Sequence, residues 1–253
     1  MNDVAALLAE VRACRACGDL PSSGPRPLLQ LSRNARILIA SKAPGRKAHT
    51  SDIPFSDPLG DRLREWMRIS AGRFYDPVNI DIFPLGLCYP GRARSGDAPP
   101  RPECARLWRV RLLAAMPELR LRLLLERYAQ NHVLGPGALT ERVRDFGDYL
   151  PRYFPLPNPS WRGTVWSRKY PWFEEEEVLP ALRAAAQMAL NDCYSATSCR
   201  SACGWGWGIV RRAATRACPL SWPRRSKRSN DRDGITPGND SASCSGERCG
   251  AGS

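Results

Sequence analysis

Residues 35–55, ARILIASKAPGRKAHTSDIPF, decide the fold that the sequence predicts. The first six, ARILIA, form a largely apolar run that is typical of a strand buried on both faces of a parallel sheet. A loop with proline and glycine follows from Ser41 to Phe55. A helix is then predicted from Asp57 through Met67, because Pro58 suits the first helical position. A buried strand, a loop and a helix in this order indicate the beginning of an α/β domain.

The same alternation of strands and helices continues to about residue 190. It predicts an α/β fold, a three-layer α/β/α sandwich with a central, mostly parallel four-stranded sheet. Ligands bind at the carboxyl ends of strands in such sheets, so loops 41–55, 84–103 and 157–163 are the expected site. The predicted strands are 35–40, 79–87, 119–125 and 153–156, and the predicted helices are 3–17, 57–67, 102–116, 126–134 and 172–190.

Four cysteines form a second informative pattern. Cys14 and Cys17 are separated by two residues, and Cys88 and Cys104 follow after a long gap. Two close thiolates joined by two from a distant segment can enclose a tetrahedral metal site or an iron–sulfur cluster. The spacing alone leaves the metal undecided, and redox thiols would also explain an isolated C-x-x-C pair.

Composition limits the function classes. With 253 residues and 43% hydrophobic residues, the chain can bury a core for one large domain or two small ones. The net charge of +13 favours a polyanionic partner, nucleic acid first, with ordinary solubility charge as the alternative. The longest apolar stretches are too short for a membrane span, and the N-terminal segment is too acidic for a secretory signal. We therefore expect a cytoplasmic protein without a membrane partner, where cysteine clusters indicate metal sites.

The loop after the first predicted strand carries groups suited to a ligand. Ala43-Pro44-Gly45 lets the backbone approach a ligand closely, because glycine has no side chain and proline fixes the turn. His49 adds a titratable group to this loop, and Phe55 closes it beside the next helix. His49 is a catalytic candidate, and a solvated loop histidine is the alternative. The other histidine, His132, is predicted to lie at the C-terminal end of a helix.

The loop after the last predicted strand reads PNPSWRG, residues 157–163. Asn158 can both donate and accept hydrogen bonds, and Ser160 can bind a phosphate. Arg162 can pair with a phosphate through two parallel hydrogen bonds. Trp161 offers a stacking face. The loop therefore has the side chains that contact a phosphodiester backbone.

Taken together, these motifs resemble the uracil-DNA glycosylase superfamily, and its iron–sulfur, family 4-like bacterial branch most of all. The resemblance covers roughly residues 5–185 in the correct order. That branch opens with C-x-x-C, has an APG loop after its first strand and a proline-flanked phenylalanine, and ends with an H-P-S motif. The matching segments are Cys14, Cys17, Ala43-Pro44-Gly45, Pro54-Phe55, Cys88-Tyr89-Pro90, Arg101-Pro102-Glu103-Cys104 and Asn158-Pro159-Ser160.

The resemblance implies a function in base excision repair of DNA damage. It implies a hydrolase that flips uracil, or another deaminated base, out of DNA and breaks its N-glycosidic bond. Phe55 would stack on the base, and loops 43–45 and 158–162 would contact the base, the attacking water and the DNA. The four cysteines would hold a structural [4Fe–4S] cluster, with structural zinc or no metal as alternatives. DNA would be the partner of a monomer.

Several residues depart from the family pattern. Lys42 stands where a glutamate or glutamine usually precedes APG, and it could oppose the positive charge of the sugar, stabilise the leaving anion or contact phosphate. Asn158 replaces the motif histidine, as in the mismatch-specific branch. Pro84 replaces the asparagine that reads the uracil edge, and Asn79 is out of register for that task. Glu126 stands where relatives favour a small or neutral residue. A catalytically weakened or inactive DNA-binding module on the same fold is therefore the alternative function.

Two domains follow from the pattern. Residues 1–190 are predicted to form the glycosylase-like α/β domain. Residues 191–253 lose strand and helix periodicity and are rich in Ser, Arg and Cys, so a basic, disordered tail is predicted there. A metal-dependent nucleic-acid enzyme of another kind, or a zinc-stabilised scaffold, is a further alternative.

Overall fold

Four parallel strands form the centre of the structure, a computed structural model that describes residues 4–18, 24–94, 96–174 and 176–191. They lie in the order β2-β1-β5-β6, and Ile39 of β1 pairs with Ile82 on one side and Leu123 on the other. A separate antiparallel hairpin consists of β3 and β4. The strands are β1 (Ile37–Ala40), β2 (Ile80–Ile82), β3 (Arg92–Ala93), β4 (Gly96–Asp97), β5 (Leu121–Leu125) and β6 (Tyr153–Leu156).

Nine α-helices occur in the described part of the chain, together with short 3-10 helices at Phe146–Tyr149 and Pro171–Phe173. The α-helices are α1 (Val4–Arg12), α2 (Arg46–Ser51), α3 (Pro58–Met67), α4 (Ala71–Phe74), α5 (Pro102–Ala114), α6 (Glu126–Leu134), α7 (Leu139–Arg144), α8 (Trp161–Lys169) and α9 (Val178–Leu190).

Helices cover both faces of the sheet because strand side chains alternate between the two faces. Ile37 and Ile39 pack with α3 and α9 in the larger core. Leu38, which points to the other face, packs with residues of α1 and α5. All four residues of β1 are buried, as its apolar run predicts. The three-layer α/β/α sandwich and its parallel sheet are therefore confirmed.

The start of α3 confirms a local prediction. Asp57 caps this helix, and its carboxylate accepts hydrogen bonds from the N–H groups of Leu59 and Gly60. Pro58 occupies the first helical position, where no intrahelical N–H bond is lost. A side-chain cap of this kind typically stabilises a helix by about 1 kcal/mol. It fixes the direction in which the chain leaves Phe55.

Several predicted boundaries were wrong. The second strand ends at Ile82 rather than residue 87, and Pro84 beyond it has no N–H for a ladder. The loop predicted at 41–55 contains α2, and the segment after Ser160 is α8. The closing helix begins at Val178 rather than residue 172, after the 3-10 turn at Pro171–Phe173.

Two expectations concern the rest of the chain. Apart from Asn191, the predicted tail at 191–253 lies outside the described residues. Within the ranges that the structure describes, no helix has both the length and the apolar character to cross a membrane.

Candidate active site at the carboxyl edge of the sheet

Glu126 joins the loops that follow three adjacent strands. It comes directly after β5, which lies between β1 and β6. Its Oε1 accepts a hydrogen bond from the backbone N–H of Lys42 at 3.2 Å, and its Oε2 accepts one from Nδ2 of Asn158 at 3.4 Å. In the sheet, β2 lies on one side of β1, whereas β5 and β6 lie on the other side. Open α/β sheets bind ligands at such a switch point in strand order, which here falls between β1 and β5.

The backbone and the charge of Glu126 are both unusual. Its φ of 58° lies in the left-handed region, which costs a residue other than glycine roughly 1–2 kcal/mol. Burial raises the pKa of its carboxyl group, and the positive charge of Lys42 and the hydrogen bond from Asn158 partly oppose that effect. Strain and burial at one residue are typical of a functional position.

Asn158 is held by hydrogen bonds at both ends of its amide. Its Oδ1 accepts the backbone N–H of Ser160 at 3.1 Å, while Nδ2 donates to Glu126. The carbonyl of Ser160 accepts a hydrogen bond from Arg62 of α3 at 3.2 Å. An amide nitrogen has two hydrogens, so Asn158 keeps one N–H for a ligand.

Lys42 contacts the hairpin with its ammonium group. Nζ donates to the carbonyl of Asp97 at 2.8 Å and lies 5.2 Å from the centre of the Tyr128 ring. The carbonyl of Lys42 accepts the N–H of Gly86 at 3.0 Å. Lys42 thus connects the loop after β1 to the segment after β2 and to β4. Neither Asp97 nor Tyr128 is marked by a sequence motif.

The segment Ala43-Pro44-Gly45 turns from β1 into α2. Pro44 is buried, whereas Ala43 and Gly45 are half-buried. The carbonyl of Gly45 accepts the N–H of His49 and starts the helix. The backbone of this segment therefore lies at the carboxyl edge beside Lys42.

His49 is buried on the inner side of α2, with 8% of its surface exposed. The alternative of a solvated loop histidine is therefore wrong, because a short helix turns the side chain inward. Its ring centre lies 5.9 Å from that of Tyr89, and its Nδ1 has no hydrogen-bond partner within the described ranges. Burial lowers the pKa of His49, the charge of Arg26 lowers it further, and Asp52 opposes both.

Phe55 is held in a left-handed conformation, with φ of 56°. Its carbonyl accepts a hydrogen bond from the Tyr75 hydroxyl at 2.8 Å, and its half-buried ring meets Phe74 edge-on. A Cβ atom at Gly60 would lie 1.8 Å from the Phe55 carbonyl oxygen. In the same way, a Cβ atom at Gly163 would lie 2.0 Å from the carbonyl oxygen of Asn158. Glycines in α3 and α8 thus support both loops.

The remaining predicted residues occupy different places. The backbone of Arg162 lies in the first turn of α8, and its side chain is outside the described part. Pro84 is buried beyond the carboxyl end of β2. Asn79 precedes β2 at the opposite edge, and its Nδ2 donates to Asp76. Asn79 therefore lies away from the candidate site.

Four cysteines line one small cavity. They are Cys14, Cys17, Cys88 and Cys104, and the cavity of about 10 Å³ has room for roughly one water molecule. Burial, together with the neighbouring charges of the other three cysteines, raises the pKa of the Cys88 thiol to about 12. Burial likewise raises the pKa of Cys104 to about 11. A cation would suit these sulfurs, because it would stabilise their thiolate forms.

Metal binding depends on the arrangement of the four thiols as well as on their chemistry. Among the described residues, no group of three or more His, Cys, Asp or Glu side chains is arranged to hold a metal ion. The chemistry of the donor set fits a metal centre, although the arrangement of the described thiols does not match that around a single metal ion.

Arg26 connects the cysteine cavity with the first loop. The backbone of Arg26 forms a hydrogen bond with Cys88, and this hydrogen bond acts to lower the pKa of the thiol. Its guanidinium donates to the carbonyl of His49 at 3.0 Å and pairs with Asp52 at 3.3 Å. Arg26 thus contacts both Cys88 and α2.

The fold and the three converging loops define an α/β protein with a candidate ligand site at the carboxyl edge of its sheet. The chain belongs to the uracil DNA glycosylase superfamily, whose family model matches residues 28–183, well over half of its length. A solution NMR structure of a candidate uracil DNA glycosylase from Methanosarcina acetivorans is similar at 19% identity, with a TM-score of 0.38, over 63% of this chain and 97% of that one.

Sequence reasoning gave Glu126 no role in the site. The signal that could have found it is its position, because it is the first residue after a predicted central strand.

Proposed function

We propose that this protein is a DNA repair glycosylase that hydrolyses the N-glycosidic bond of a flipped-out uracil, or another deaminated base, in DNA. The observation that carries this proposal is the contact of Glu126 with both Lys42 and Asn158, in a chain of this superfamily. The superfamily makes DNA the expected partner, and the net charge of +13 suits a phosphodiester backbone.

The reaction separates charge, and the loops have groups suited to both ends. As the bond breaks, positive charge develops on the sugar and negative charge on the leaving base. The Glu126 carboxylate would stabilise the sugar cation, and the free N–H of Asn158 would donate to the base. Water adds across the bond, so the sugar gains the hydroxyl and the base gains the proton.

Phe55 is proposed as the stacking platform for the base. Its ring is half-buried and held by Phe74, and Tyr75 fixes its carbonyl. A ring fixed before binding loses little entropy when a base stacks on it. Ala43, Pro44 and Gly45 would contact the base edge through their backbone.

Other candidate residues have positioning and DNA-binding roles. Lys42 would orient Glu126 through its backbone N–H, while its ammonium holds the hairpin. His49 would support the loop from its buried position, and Ser160 and Arg162 would contact phosphates.

An inactive DNA-binding module remains the second candidate function. It is favoured by Pro84, which has no side-chain donor for the base, and by the engagement of one Asn158 N–H with Glu126. Both proposed functions include the expectation from the sequence that the protein is a cytoplasmic monomer.

An excision assay separates the two functions. The full-length protein is incubated in excess with uracil-containing single- and double-stranded oligonucleotides, and abasic product is measured after strand cleavage. We expect product that depends on uracil. Retained DNA binding without abasic product would establish the binding module instead, and loss of both would contradict both.

We also propose that the four cysteines hold a structural centre, a [4Fe–4S] cluster with zinc as the alternative. The shared cavity and the mutual effect of the thiols on their pKa values support this proposal. Such a centre would hold the segments that carry Cys88 and Arg26 in place, and Arg26 contacts α2.

A further inference from the structure

A group of cationic residues lies on the sheet face that carries α5 and α6. Arg109 of α5 has only 8% of its surface exposed, and its NH1 has no hydrogen-bond partner among the described residues. Arg122 of β5 has a buried Nε that likewise lacks a partner in this part of the chain. Neither guanidinium forms an ion pair within the described residues. A buried cation without a counter-charge is costly, so the arrangement suits a bound anion.

The two arginines act on each other and on His132. Burial, together with the charge of Arg122, lowers the pKa of Arg109 to about 10. Burial also lowers the pKa of His132, and Arg109 adds to that effect. His132 is exposed, so it forms the solvent side of the group. An anion would reach the arginines from this side.

Tyr153 contributes a hydroxyl group. Its oxygen accepts a hydrogen bond from NH1 of Arg122 at 3.1 Å, which leaves its own hydrogen available. Its ring centre lies 5.5 Å from the guanidinium carbon of Arg122 and 5.8 Å from that of Arg152. The phenol thus lies near two guanidinium groups and has an O–H donor.

We propose that Arg109, Arg122, His132 and Tyr153 form a binding site for a phosphate-like oxyanion. Guanidinium groups present paired N–H donors that match the oxygens of phosphate, and two of them balance a dianion. The phosphate could be free or carried by a nucleotide.

This site is separate from the candidate active site. Arg122 and Tyr153 lie at the amino ends of β5 and β6, whereas Glu126 and Asn158 follow their carboxyl ends. Arg122 and Glu126 are four positions apart along extended chain, a distance of about 13 Å. The inference therefore does not depend on glycosylase activity.

Imidazole NMR gives a direct test, because the chain has two histidines, His49 and His132. The full-length protein is titrated with inorganic phosphate, and sodium chloride at matched ionic strength is the control. We expect a saturable shift of the His132 signals and a rise in the pKa of His132, with little change at His49. No saturable shift at His132 would overturn the proposal.

Variants locate the anion. Arg109→Met should abolish the saturable shift, whereas Arg106→Met, an exposed position on the same helix, should preserve it. Arg122→Met provides the same test if Arg109→Met does not fold. A shift that survives in the folded variant would place the phosphate elsewhere and overturn the site.

Two further measurements complete the test. Phosphate should raise the melting temperature of the unmodified protein, in proportion to the logarithm of the phosphate concentration. It should not raise the melting temperature of Arg109→Met. A nucleoside monophosphate that saturates His132 at lower concentration than inorganic phosphate would identify a nucleotide as the source. Equal or weaker binding would identify the free oxyanion.

Discussion

Glu126 and Asn158 meet although 32 residues separate them, with Nδ2 of the amide 3.4 Å from Oε2 of the carboxylate. Their contact connects the end of β5 to the end of β6. The same carboxylate accepts the backbone N–H of Lys42 after β1. A single acidic group thus relates three neighbouring loops, and its removal is the most informative change.

Glu126→Gln should lower excision by about 10²–10³-fold, the usual cost of losing a group that stabilises transition-state charge. The charged form is the active one, and burial raises the pKa of Glu126. As the pH is lowered, the activity of the unmodified protein should therefore begin to fall at a higher pH than it would with a glutamate of ordinary pKa. Single-turnover rates measured across pH check this, and the acid limb should disappear in Glu126→Gln.

Glu118→Gln is the matched control, because Glu118 is exposed in the turn before β5. It should retain both the rate and the acid limb. Equal rates for Glu126→Gln and the unmodified protein would contradict the proposed charge stabilisation.

Phe55→Ala should lower excision more than duplex affinity. Stacking of a base on an aromatic ring contributes about 1–3 kcal/mol. This corresponds to roughly 5–150-fold in rate. Excision rates and fluorescence anisotropy with a labelled duplex measure the two effects. Ile53→Ala, at an exposed position in the same loop, should change neither. Equal losses of binding and rate would show a general role for Phe55 in the fold.

Asn158→His should raise the excision rate, by as much as about 10²-fold if the asparagine is the weakened anion donor. One imidazole nitrogen can accept the N–H of Ser160, as Oδ1 does now, and the other can donate to the base. The rate is measured with saturating protein, so that binding does not limit it. An unchanged rate would show that this departure from the family motif does not weaken catalysis.

Cys88→Ser and Cys14→Ala should each remove a bound metal centre. If a [4Fe–4S] cluster is present, purified protein should be brown and contain iron and sulfide in about equal amounts. One zinc per chain would support the alternative. Elemental analysis decides between them. Serine at the six cysteines after residue 191 is the control and should leave the metal content unchanged.

A chain purified under anaerobic conditions with neither iron nor zinc would contradict both assignments. The four thiols would then be ordinary buried cysteines that share a cavity.

Asp81→Asn should stabilise the fold, and more so at pH 8 than at pH 5. Asp81 is fully buried, its Oδ1 has no hydrogen-bond partner in the part of the chain that the structure describes, and burial raises its pKa to about 8. The folded state therefore holds a proton that the unfolded state releases, so stability falls as pH rises from about 4 to 8. The gain should be roughly 1–3 kcal/mol, measured by thermal melting.

Asp148→Asn serves as the control for that experiment, since Asp148 is exposed. It should shift the melting temperature little at either pH. If Asp81→Asn gave the same gain at both pH values, the aspartate would not titrate as its burial requires.

Local sequence signals predicted much of the fold. The apolar run at β1, the helix start with Pro58 at the first position and the bounds Glu126–Leu134 and Tyr153–Leu156 all agree with the structure. Each depends on neighbouring residues alone. The four cysteines that the spacing groups together line one cavity, although a long stretch of chain separates the first pair from the second.

Contacts that depend on strand order were not predictable in this way. The role of Glu126 requires that β5 lie between β1 and β6, which no local pattern specifies. The burial of His49 depends on six residues forming α2 within a segment whose proline and glycine indicated a loop. Asp97 and Tyr128 meet Lys42 only after three segments have come together.

The two glycines under the site loops constrain how this chain can vary. Any side chain at position 60 or 163 would displace a main-chain oxygen, at Phe55 in one case and at Asn158 in the other. Saturation mutagenesis under selection should therefore recover almost no substitutions at these two codons, while many surface codons of the same helices accept changes. Natural drift faces the same restriction, so diversification of this site must come from the residues around those glycines.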